Sequence, residues 1–331
     1  MFEPRKVIVL LATYNGAEFL SEQIQSIQGQ AISNWTLLVR DDGSEDNTRD
    51  VLEKLATKDK RIRCIQDTRG CLGAARNFGE LMRVAWVEGA DIVFFSDQDD
   101  VWLETKMMEQ IAALDKMENS YGRDTPILVY SDLEVVDRWL QPIDRSFMRY
   151  QGLTHEAQSP VRVLLTQNFV TGCATVINRS LLKLAVPLPA DVVMHDWWLA
   201  LCAAACGQIG HLPSSTLRYR QHDSNQIGAQ RILAMMNPLS LRTRRWWKEG
   251  GSRLFKSIGQ AAVLSERIVS RDVPCSVEAL SLLKRFAACA QEGRFRRLWT
   301  VSQLGLQRQG VFRQLLLYWR LLVSRRGAIT D

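Results

Sequence analysis

Three aspartates that could bind a metal ion directly follow an apolar segment of the chain. Asp97, Asp99 and Asp100 come immediately after the run Ile92–Phe95, which has the length and composition of a buried strand. Carboxylates gathered at the end of such a strand repel one another and lose hydration, so they need a compensating cation. A hard divalent ion suits these oxygen ligands and can bring a phosphorylated substrate with it. The alternative is an acidic turn in which Asp100 caps a helix over 101–117.

The first hundred residues alternate between apolar runs of strand length and amphipathic segments of helical period. Strands are predicted at 7–11, 35–39, 62–66 and 92–95, and helices at 17–30, 46–58 and 73–86. This alternation predicts an α/β protein whose parallel sheet is covered on both faces. In such sheets ligands bind beyond the carboxyl ends of the strands. The polar segments Thr13-Tyr14-Asn15, Asp41-Asp42-Gly43-Ser44 and Asp97-Gln98-Asp99 all fall at such ends, which favours the metal site over the acidic turn.

Beyond residue 126 the pattern of elements changes. Strands are predicted at 127–130, 133–136 and 217–220, short and long helices at 161–166 and 195–206, and a loop running into a strand at 169–178. After 236–238 the chain is predicted to be helical through to 324. We therefore divide it into a catalytic domain over 1–230 and a basic helical module over 231–331.

The net charge of +6 is concentrated in this C-terminal module. Its basic clusters lie at 242–245, 294–297 and 325–326, and aromatic residues are interleaved with them, as in Arg244-Arg245-Trp246-Trp247-Lys248. Helices with a basic face and interfacial tryptophans suit the headgroup region of an anionic membrane. Packing against the catalytic domain is the alternative. The lack of a recognised nucleic-acid-binding fold argues against nucleic acid as a partner.

The composition, 46 % hydrophobic and 24 % charged over 331 residues, is that of a globular protein with a proper core. No signal-peptide pattern opens the chain, and its apolar runs fall far short of the ~18 residues of a membrane span. The seven cysteines are irregularly spaced, and Cys202 and Cys206 have no second pair or nearby histidines. We therefore expect reduced thiols in a cytoplasmic protein and no zinc site.

Two common phosphate-binding motifs are missing from the sequence. Neither GxxxxGK[ST] nor a GxGxxG after the first strand is present, which argues against P-loop hydrolases and dinucleotide dehydrogenases. A sheet without a glycine-rich cradle must neutralise phosphate in another way, and Mg²⁺ or Mn²⁺ on the aspartates is the candidate.

Six short motifs together carry a resemblance to a known family. They are Ala12-Thr13-Tyr14-Asn15-Gly16, Arg40-Asp41-Asp42-Gly43-Ser44, Ala75-Arg76-Asn77, Ser96-Asp97-Gln98-Asp99-Asp100-Val101-Trp102, Met194-His195-Asp196-Trp197-Trp198 and Tyr219-Arg220-Gln221-His222. In order and spacing they resemble the family 2 inverting glycosyltransferases of GT-A fold. The last two resemble the rhamnosyltransferase-like branch of bacterial surface polysaccharide assembly.

This resemblance covers residues 5–230 and implies a fold and a chemistry. The implied fold is an α/β, GT-A three-layer sandwich with a C-terminal helical extension. The implied reaction uses a nucleotide-diphospho-sugar donor and a divalent ion, Mg²⁺ or Mn²⁺, with direct displacement at the anomeric carbon.

The resemblance also implies roles for the acidic residues. Asp97 and Asp99 fall on the positions that hold the ion bridging the donor diphosphate. Asp100 either contributes through water or caps a helix. Asp41 matches the aspartate that accepts the N3 hydrogen of uracil or thymine, and its alternative is a turn residue before Gly43.

Other positions match the family's nucleotide-binding loops. Thr13 and Asn15 match the loop that lines the nucleoside, and Thr171-Gly172 matches a loop beneath the sugar. Arg76 matches a basic contact near the base and diphosphate, and its alternative is a solvated helix residue. His222 resembles a late histidine that approaches the ion or diphosphate, although a lone histidine is as often structural.

Asp196 is the expected general base. An inverting transfer needs one carboxylate to take the acceptor hydroxyl proton as that oxygen attacks. Many family members carry Glu-Asp here, whereas this chain has His195-Asp196, so the aspartate is retained and the role of His195 is open. The alternative is that Asp196 only caps a helix beginning at Trp197. Trp197 and Trp198 either stack on sugars or fill the core, and the core is the commoner place for a single tryptophan.

Together these observations predict a glycosyltransferase, peripheral to the inner face of the cell membrane. The branch resemblance favours L-rhamnose from dTDP-L-rhamnose as the donor sugar and a lipid-linked cell-surface glycan as the acceptor. A UDP-sugar-dependent family 2 transferase is the first alternative. A non-catalytic, membrane-associated relative is the second, and the presence of all the candidate carboxylates argues against it.

Overall fold

The computed structural model describes residues 5–67, 69–222 and 241–323, and for 241–249 only the helix to which they belong. The strands in this part are β1 (Val7–Thr13), β2 (Thr36–Asp41), β3 (Ile62–Cys64), β4 (Ile92–Ser96), β5 (Val101–Trp102), β6 (Ile127–Val136), β7 (Pro142–Asp144), β8 (Thr175–Asn178) and β9 (Gln208–Arg220). The helices are α1 (Leu20–Gln28), α2 (Thr48–Lys58), α3 (Ala74–Val87), α4 (Lys106–Tyr121), α5 (Phe147–Gln151), α6 (Pro160–Leu164), α7 (Arg179–Ala185), α8 (His195–Cys206), α9 (Leu241–Ser270), α10 (Val277–Ala288), α11 (Arg294–Gln303) and α12 (Val311–Val323).

All nine strands belong to one mixed sheet. Its main order is β3-β2-β1-β4-β8-β6-β9-β5, and β7 pairs with β6. The predicted parallel pairing is confirmed for β1 to β4. It ends at β8, which runs antiparallel to both β4 and β6. The parallel half therefore brings the carboxyl ends of β1, β2 and β4 to the same edge.

Apolar residues on both faces of β1 explain the layered architecture. Ile8 and Leu10 pack into a core with α3, α7 and α8, whereas Val9 and Leu11 pack into a second core with α1 and α4. Because side chains alternate along a strand, a continuous apolar run supplies both cores at once. The predicted α/β three-layer sandwich with a C-terminal helical extension is confirmed.

One predicted helix boundary is wrong, and with it the proposed capping role of Asp100. Residues 101–102 form the short strand β5, which pairs antiparallel with β9, and α4 begins only at Lys106. The Asp100 carboxylate instead accepts the backbone N–H of Arg220 (3.2 Å). This contact joins residues 120 positions apart, which no local helix signal could indicate.

Two other strand predictions were too short. The strands expected at 127–130 and 133–136 are one strand, β6, whose register with β9 shifts between Ser131 and Glu134. The strand expected at 217–220 is the end of β9, which begins at Gln208. These register shifts explain why the apolar pattern of β6 appears interrupted in the sequence.

The C-terminal helices pack against the catalytic half of the chain. Leu254 and Ile258 of α9 share a core with α8. Arg267 donates hydrogen bonds to the carbonyls of Leu184 and Ala185 at the end of α7 (2.9 and 2.8 Å). The expected packing of this module on the catalytic domain is therefore present.

Several sequence-based expectations fall outside the described part of the chain. These are the domain boundary at 230/231, the basic pair Arg325-Arg326 and the side chains of the cluster 242–248. The division into 1–230 and 231–331 stays a prediction. Among the residues that the structure describes, no helix combines the length and apolar character needed to cross a membrane.

Candidate functional site

A cleft of about 980 Å³ lies at the carboxyl edge of the parallel strands. Its walls come from the loops after β1, β2 and β4, from residues 166–172, from the first turn of α8, and from the C-terminal helices α9 and α12. This volume is at the upper end for small-molecule sites, so there is room for more than one ligand. Six of the sequence-predicted site residues line it: Thr13, Asn15, Asp97, Asp99, Asp196 and His222.

Gln98 fixes the relative positions of the loops after β1 and β4. Its Oε1 accepts the Thr13 hydroxyl (2.7 Å) and the Tyr14 N–H (2.8 Å), and its Nε2 donates to the Tyr14 carbonyl (3.1 Å). A Cβ at Gly16 would overlap the Gln98 amide, so glycine is required there. The sequence analysis did not assign Gln98 a role. Its place between two candidate metal ligands was the available signal.

The acidic residues after β4 form a cluster with strongly perturbed ionisation. Burial, together with the charges of Asp99 and Asp196, raises the pKa of Asp97 to about 7. Asp100 is fully buried, and burial and the neighbouring Asp99 and Asp97 raise its pKa well above the usual range. Ionising all of these carboxylates together is unfavourable because the cluster repels itself.

The donor set of this cluster fits a hard divalent cation. Ligand atoms of Asp97, Asp100 and Cys173 lie within 4.8 Å of one another. Burial raises the pKa of the Cys173 thiol, so it stays protonated and hydrogen-bonds Asp100 instead of acting as a thiolate ligand. Carboxylate oxygens facing the cleft are then the available ligands, which is the chemistry that Mg²⁺ and Mn²⁺ prefer.

The end of β9 is tied to the acidic loop by two residues. His222 Nε2 hydrogen-bonds Asp99 Oδ2 (2.8 Å), and its ring lies 4.8 Å from that of Phe19. Arg220 donates from Nε to the Asp99 carbonyl (2.8 Å) and forms an ion pair with Glu22. The structure thus places His222 beside the acidic cluster, where it orients one of the candidate ligands.

Asp196 lies in the first turn of α8, across the cleft floor from the 3-10 turn at Gly172–Ala174. Its Oδ1 accepts the Trp197 N–H (2.6 Å) and its Oδ2 accepts the Gly172 N–H (3.2 Å). Burial raises the pKa of Asp196 to about 6, although these hydrogen bonds oppose the rise. The carboxylate is therefore ionised at neutral pH and more basic than an exposed aspartate, as a general base requires.

Helix α8 begins at His195, as the sequence predicted, and not at Trp197, as the capping alternative required. Asp196 is therefore the second residue of the helix. Its carboxylate accepts the Trp197 N–H and also the N–H of Gly172 in a distant loop, so its role is not limited to capping the helix. Trp197 and Trp198 are buried and belong to the core, as the commoner alternative predicted.

His195 is a packing residue in this structure. Its ring stacks on Phe78 (centroids 3.8 Å apart) and lies near Phe95 (5.2 Å). Burial lowers the pKa of His195 to about 3, and within the described residues neither ring nitrogen has a hydrogen-bond partner. The imidazole is therefore neutral. A Cβ at position 172 would come within 2.8 Å of the His195 Nε2. The close approach of the expected Thr171-Gly172 loop to this ring therefore favours glycine at 172.

The loops after β1 and β2 are joined through Asn15 and the 41–45 turn. Asn15 adopts a left-handed conformation (φ 49°); its N–H donates to Ser44 Oγ (2.8 Å), and its Oδ1 accepts the Glu45 N–H (2.8 Å). The Asp41 carboxylate accepts from Ser44 and from Arg49 Nε (2.9 Å). Asp41 is not among the residues that line the cleft, whereas Asp42 is.

Asp42 is buried and holds the loop that leads into α3. It accepts the N–H groups of Leu72 (2.8 Å) and Gly73 (2.7 Å) and pairs with Arg40 (2.6 Å). Arg40 is itself only 2 % exposed. The sequence analysis gave Arg40 no role, although an arginine inside the apolar run of β2 was a usable signal.

Arg76, which the resemblance implied near the base and diphosphate, lies at the start of α3. Its side chain is exposed in the first turn of α3 and is not part of the cleft lining. The neighbouring Asn77 lines the cleft instead and exchanges hydrogen bonds with Arg40 (both 3.2 Å). The solvated-helix alternative describes the position of Arg76 in this structure.

The C-terminal helices contribute an unexpected basic wall to the cleft. Arg308, Arg313 and Arg320, which we call the arginine cluster, line it together with Arg253 of α9. The basic character of this module is visible in the sequence, where it suits either a membrane surface or packing on the rest of the chain. No spacing signal identifies these arginines, because tertiary packing alone turns them toward the cleft.

Comparisons with known proteins agree with the family resemblance of the sequence. The family model described as "Glycosyl transferase family 2" matches residues 8–183. The chain is 25 % identical over 285 residues to "dTDP-rhamnosyl transferase RfbG" of Shigella flexneri, covering 83 % of this chain and 93 % of that protein. It is 31 % identical over 180 residues to "UDP-Glc:alpha-D-GlcNAc-diphosphoundecaprenol beta-1,3-glucosyltransferase WfgD" of Escherichia coli, covering 54 % of this chain and 62 % of that protein.

Two solved structures resemble the overall fold. S. aureus TarS 1–349 in complex with UDP superposes with a TM-score of 0.55 at 13 % identity, over 98 % of this chain and 90 % of that one. The mannosyltransferase PcManGT from Pyrobaculum calidifontis, in complex with GDP-Man and Mn²⁺, gives a TM-score of 0.51 at 16 % identity, over 96 % and 88 %. Both likenesses agree with the GT-A fold expected from the sequence.

Proposed function

The chain belongs to glycosyl transferase family 2, and from that premise we propose that it transfers a sugar with inversion, using Asp196 as the general base. One observation carries the proposal: Asp196 and the Asp97–Asp99 pair line the same cleft, and the pKa of Asp196 is raised to about 6. A carboxylate with this pKa is mostly ionised at neutral pH and can take the proton of an acceptor hydroxyl during attack. The Gly172 and Trp197 N–H groups hold its oxygens in place.

Asp97 and Asp99 are the residues that would hold Mg²⁺ or Mn²⁺. Such an ion, when bound, neutralises negative charge on the departing nucleoside diphosphate. The chain's own contribution is to position the two carboxylates. Gln98 fixes the loop between them, and His222 orients Asp99 through its 2.8 Å hydrogen bond.

For the nucleoside we propose the loops after β1 and β2. Thr13 and Asn15 line the cleft there, as the resemblance implied. We keep Asp41 as the proposed base contact, because both oxygens of the cleft-lining Asp42 already accept hydrogen bonds within the protein. The exposed position of Arg76 gives no support to a direct contact with the base or diphosphate.

We further propose that the donor is dTDP-L-rhamnose. The likeness to the Shigella protein, which extends over most of both chains, supports this choice. The likeness to the E. coli glucosyltransferase WfgD, named for a UDP-Glc donor, supports a UDP-sugar as the alternative. The two donors share the pyrimidine edge that Asp41 would contact, so the same base-binding loop would serve either.

We propose a lipid-linked glycan as the acceptor and the inner face of the cell membrane as the place of reaction. Helices α11 and α12 expose large apolar side chains, which suits contact with a lipid surface. They are Phe295, Trp299, Val311, Phe312, Leu315 and Trp319. The protein would then be cytoplasmic and peripheral, and the reaction would take place beside the membrane that holds its acceptor.

The test compares donors and variants in one experiment. We expect melting temperature to rise with dTDP plus Mn²⁺ more than with UDP, GDP or ADP plus Mn²⁺, and transfer from dTDP-L-rhamnose to follow the same order. Asp196→Asn should abolish transfer and keep dTDP–Mn²⁺ binding, and Asp191→Asn, on the exposed loop before α8, should change neither. A larger rise in melting temperature with UDP than with dTDP would indicate a UDP-sugar as the donor. Loss of dTDP–Mn²⁺ binding in folded Asp196→Asn would contradict the general-base role.

A further inference from the structure

We propose that the arginine cluster of the C-terminal helices binds the phosphoryl group of a lipid-linked acceptor. The proposal rests on the transferase function given above and adds a second phosphate site to the cleft, distinct from the acidic loop that serves the donor. It is carried by the position of Arg308, the surplus of hydrogen-bond donors around it and the neighbouring apolar surface.

Arg308 is held rigidly at the cleft wall. On one side of it, the Gln307 carbonyl accepts the Thr166 hydroxyl (3.0 Å). On the other side, Gln309 donates from Nε2 to the Thr154 carbonyl (2.6 Å) and accepts the Thr154 N–H at Oε1 (2.9 Å). Because both neighbours are bonded to the N-terminal half of the chain, the backbone at Arg308 is fixed at the cleft wall before any ligand arrives.

The polar atoms around Arg308 are in excess on the donor side. Arg308 Nε, Gln167 Nε2 and Gln151 Nε2 are buried and have no acceptor among the described residues. The orientation of the Gln167 amide is fixed, since its Oε1 accepts the Gln309 N–H (3.0 Å). Buried hydrogen-bond donors are unfavourable unless a ligand supplies the missing acceptors. A phosphoryl group offers several acceptor oxygens.

The positive charge of this wall also favours an anionic ligand. Within the described residues, neither Arg308 nor Arg313 forms an ion pair. Arg313 donates instead to the carbonyls of Gly152 (2.9 Å) and Gln151. Burial and the neighbouring Arg320 and Arg313 lower the pKa of Arg308 to about 9, so it remains charged at neutral pH and lacks compensation. An anion relieves this repulsion.

The surroundings of the arginine cluster suit the phosphoryl group of the sugar acceptor better than that of the nucleotide-sugar donor. The donor's diphosphate belongs at Asp97 and Asp99, where a metal ion is needed because the wall is acidic. The arginine cluster needs no metal. It lies beside the exposed apolar side chains of α12, including Phe312 and Leu315, so an amphiphile with an anionic head fits both surfaces at once.

The test measures binding of two probes, inorganic pyrophosphate and farnesyl diphosphate, by calorimetry in EDTA. We expect Arg308→Gln to weaken both by about 10–100-fold, the worth of a charge-assisted hydrogen bond to a buried partner. Arg308→Lys, which keeps the charge, should weaken them less. Arg285→Gln, which removes an exposed arginine from α10 away from the cleft, is the matched control and should bind like the wild type.

Three outcomes would overturn the proposal. Equal pyrophosphate binding by the wild type and Arg308→Gln would remove the site. An equal loss of dTDP–Mn²⁺ binding in Arg308→Gln would assign the arginine to the donor. Farnesyl diphosphate binding no tighter than pyrophosphate would exclude a lipid-linked ligand.

Stability and turnover separate the remaining explanations. A structural arginine would lower the melting temperature when replaced, whereas Arg308→Gln should melt no lower than the wild type because a repelled charge is removed. With active enzyme, Arg308→Gln should raise KM for the acceptor about 10-fold or more and leave KM for the donor unchanged. Arg308-dependent binding of pyrophosphate without transfer from any donor would contradict the transferase function and leave the anion site in place.

Discussion

Replacing Asp196, the proposed general base, should change the pH dependence of folding stability in a way that can be worked out from its surroundings. Burial raises the pKa of Asp196 from 3.8 to about 6 in the folded protein. Between these values the folded protein binds a proton that the unfolded chain has released. Asp196 therefore lowers the free energy of unfolding progressively as the pH rises through this window. The full decrease is present above about pH 6.

Asp196→Asn removes this cost. The linkage relation gives a gain of about 3 kcal/mol at pH 7 and between about 1 and 2 kcal/mol at pH 5, as upper bounds because the side chain is partly exposed in the cleft. The variant also loses an acceptor for the Gly172 N–H, at about 1–3 kcal/mol. That loss does not depend on pH. The advantage of Asp196→Asn over the wild type should therefore shrink by about 1 kcal/mol between pH 7 and pH 5, whatever its absolute value.

Urea unfolding of both proteins in EDTA at the two pH values measures this difference. The mutual repulsion of Asp97 and Asp196 acts in the same direction, since both carboxylates are more fully ionised at pH 7. Asp191→Asn, from the exposed loop before α8, is the control and should show no such pH dependence. A stability difference between wild type and Asp196→Asn that is the same at pH 5 and pH 7 would refute the reasoning that burial raises this pKa.

Three further predictions concern the same part of the cleft. The pKa of about 6 for Asp196 predicts that kcat/KM with saturating metal falls about tenfold per pH unit below pH 6; a profile flat down to pH 5 would contradict the base assignment. Gly172→Ala would place a Cβ 2.8 Å from His195 Nε2 and should destabilise the protein by about 1–3 kcal/mol and lower kcat. Gly259→Ala, in open space on α9, should stabilise it by about 0.5–1 kcal/mol in the same thermal unfolding assay. His195→Leu should keep transfer activity within a few-fold and stability within about 1.5 kcal/mol, because the neutral ring only packs; a loss of activity beyond 100-fold would show that His195 takes part in proton transfer.

The parallel half of the fold was predictable because its signals are local. β1, β2 and β4 contain continuous apolar runs, β1 to β3 are each followed by a helix of amphipathic period, and the polar ends of β1, β2 and β4 fall at one edge of the sheet. The same argument predicts that Thr13, Asn15, Asp97 and Asp99 lie together at that edge.

What the sequence did not reveal depends on contacts between distant segments. Asp100 resembles a helix cap until β5 is seen to pair with β9, more than a hundred residues further along the chain. The anchoring of the loop before α3 by Asp42 depends on how one turn bends after β2, which sequence spacing does not determine. The arginine cluster reaches the cleft only because α9 and α12 fold back over the catalytic half.

The bonds that join residues 307–309 to Thr154, Thr166 and Gln167 have a consequence for protein engineering. One wall of the cleft is made from two stretches of chain separated by about 140 residues, and neither is complete without the other. A chimaera that exchanges everything after residue 230 between two relatives would combine the C-terminal segment of one protein with the 151–167 segment of the other. The hydrogen bonds between the two segments would then be lost or changed. The transferable unit is therefore the pair of segments 151–167 and 306–323 taken together, grafted onto a sheet that keeps its own nucleotide loops.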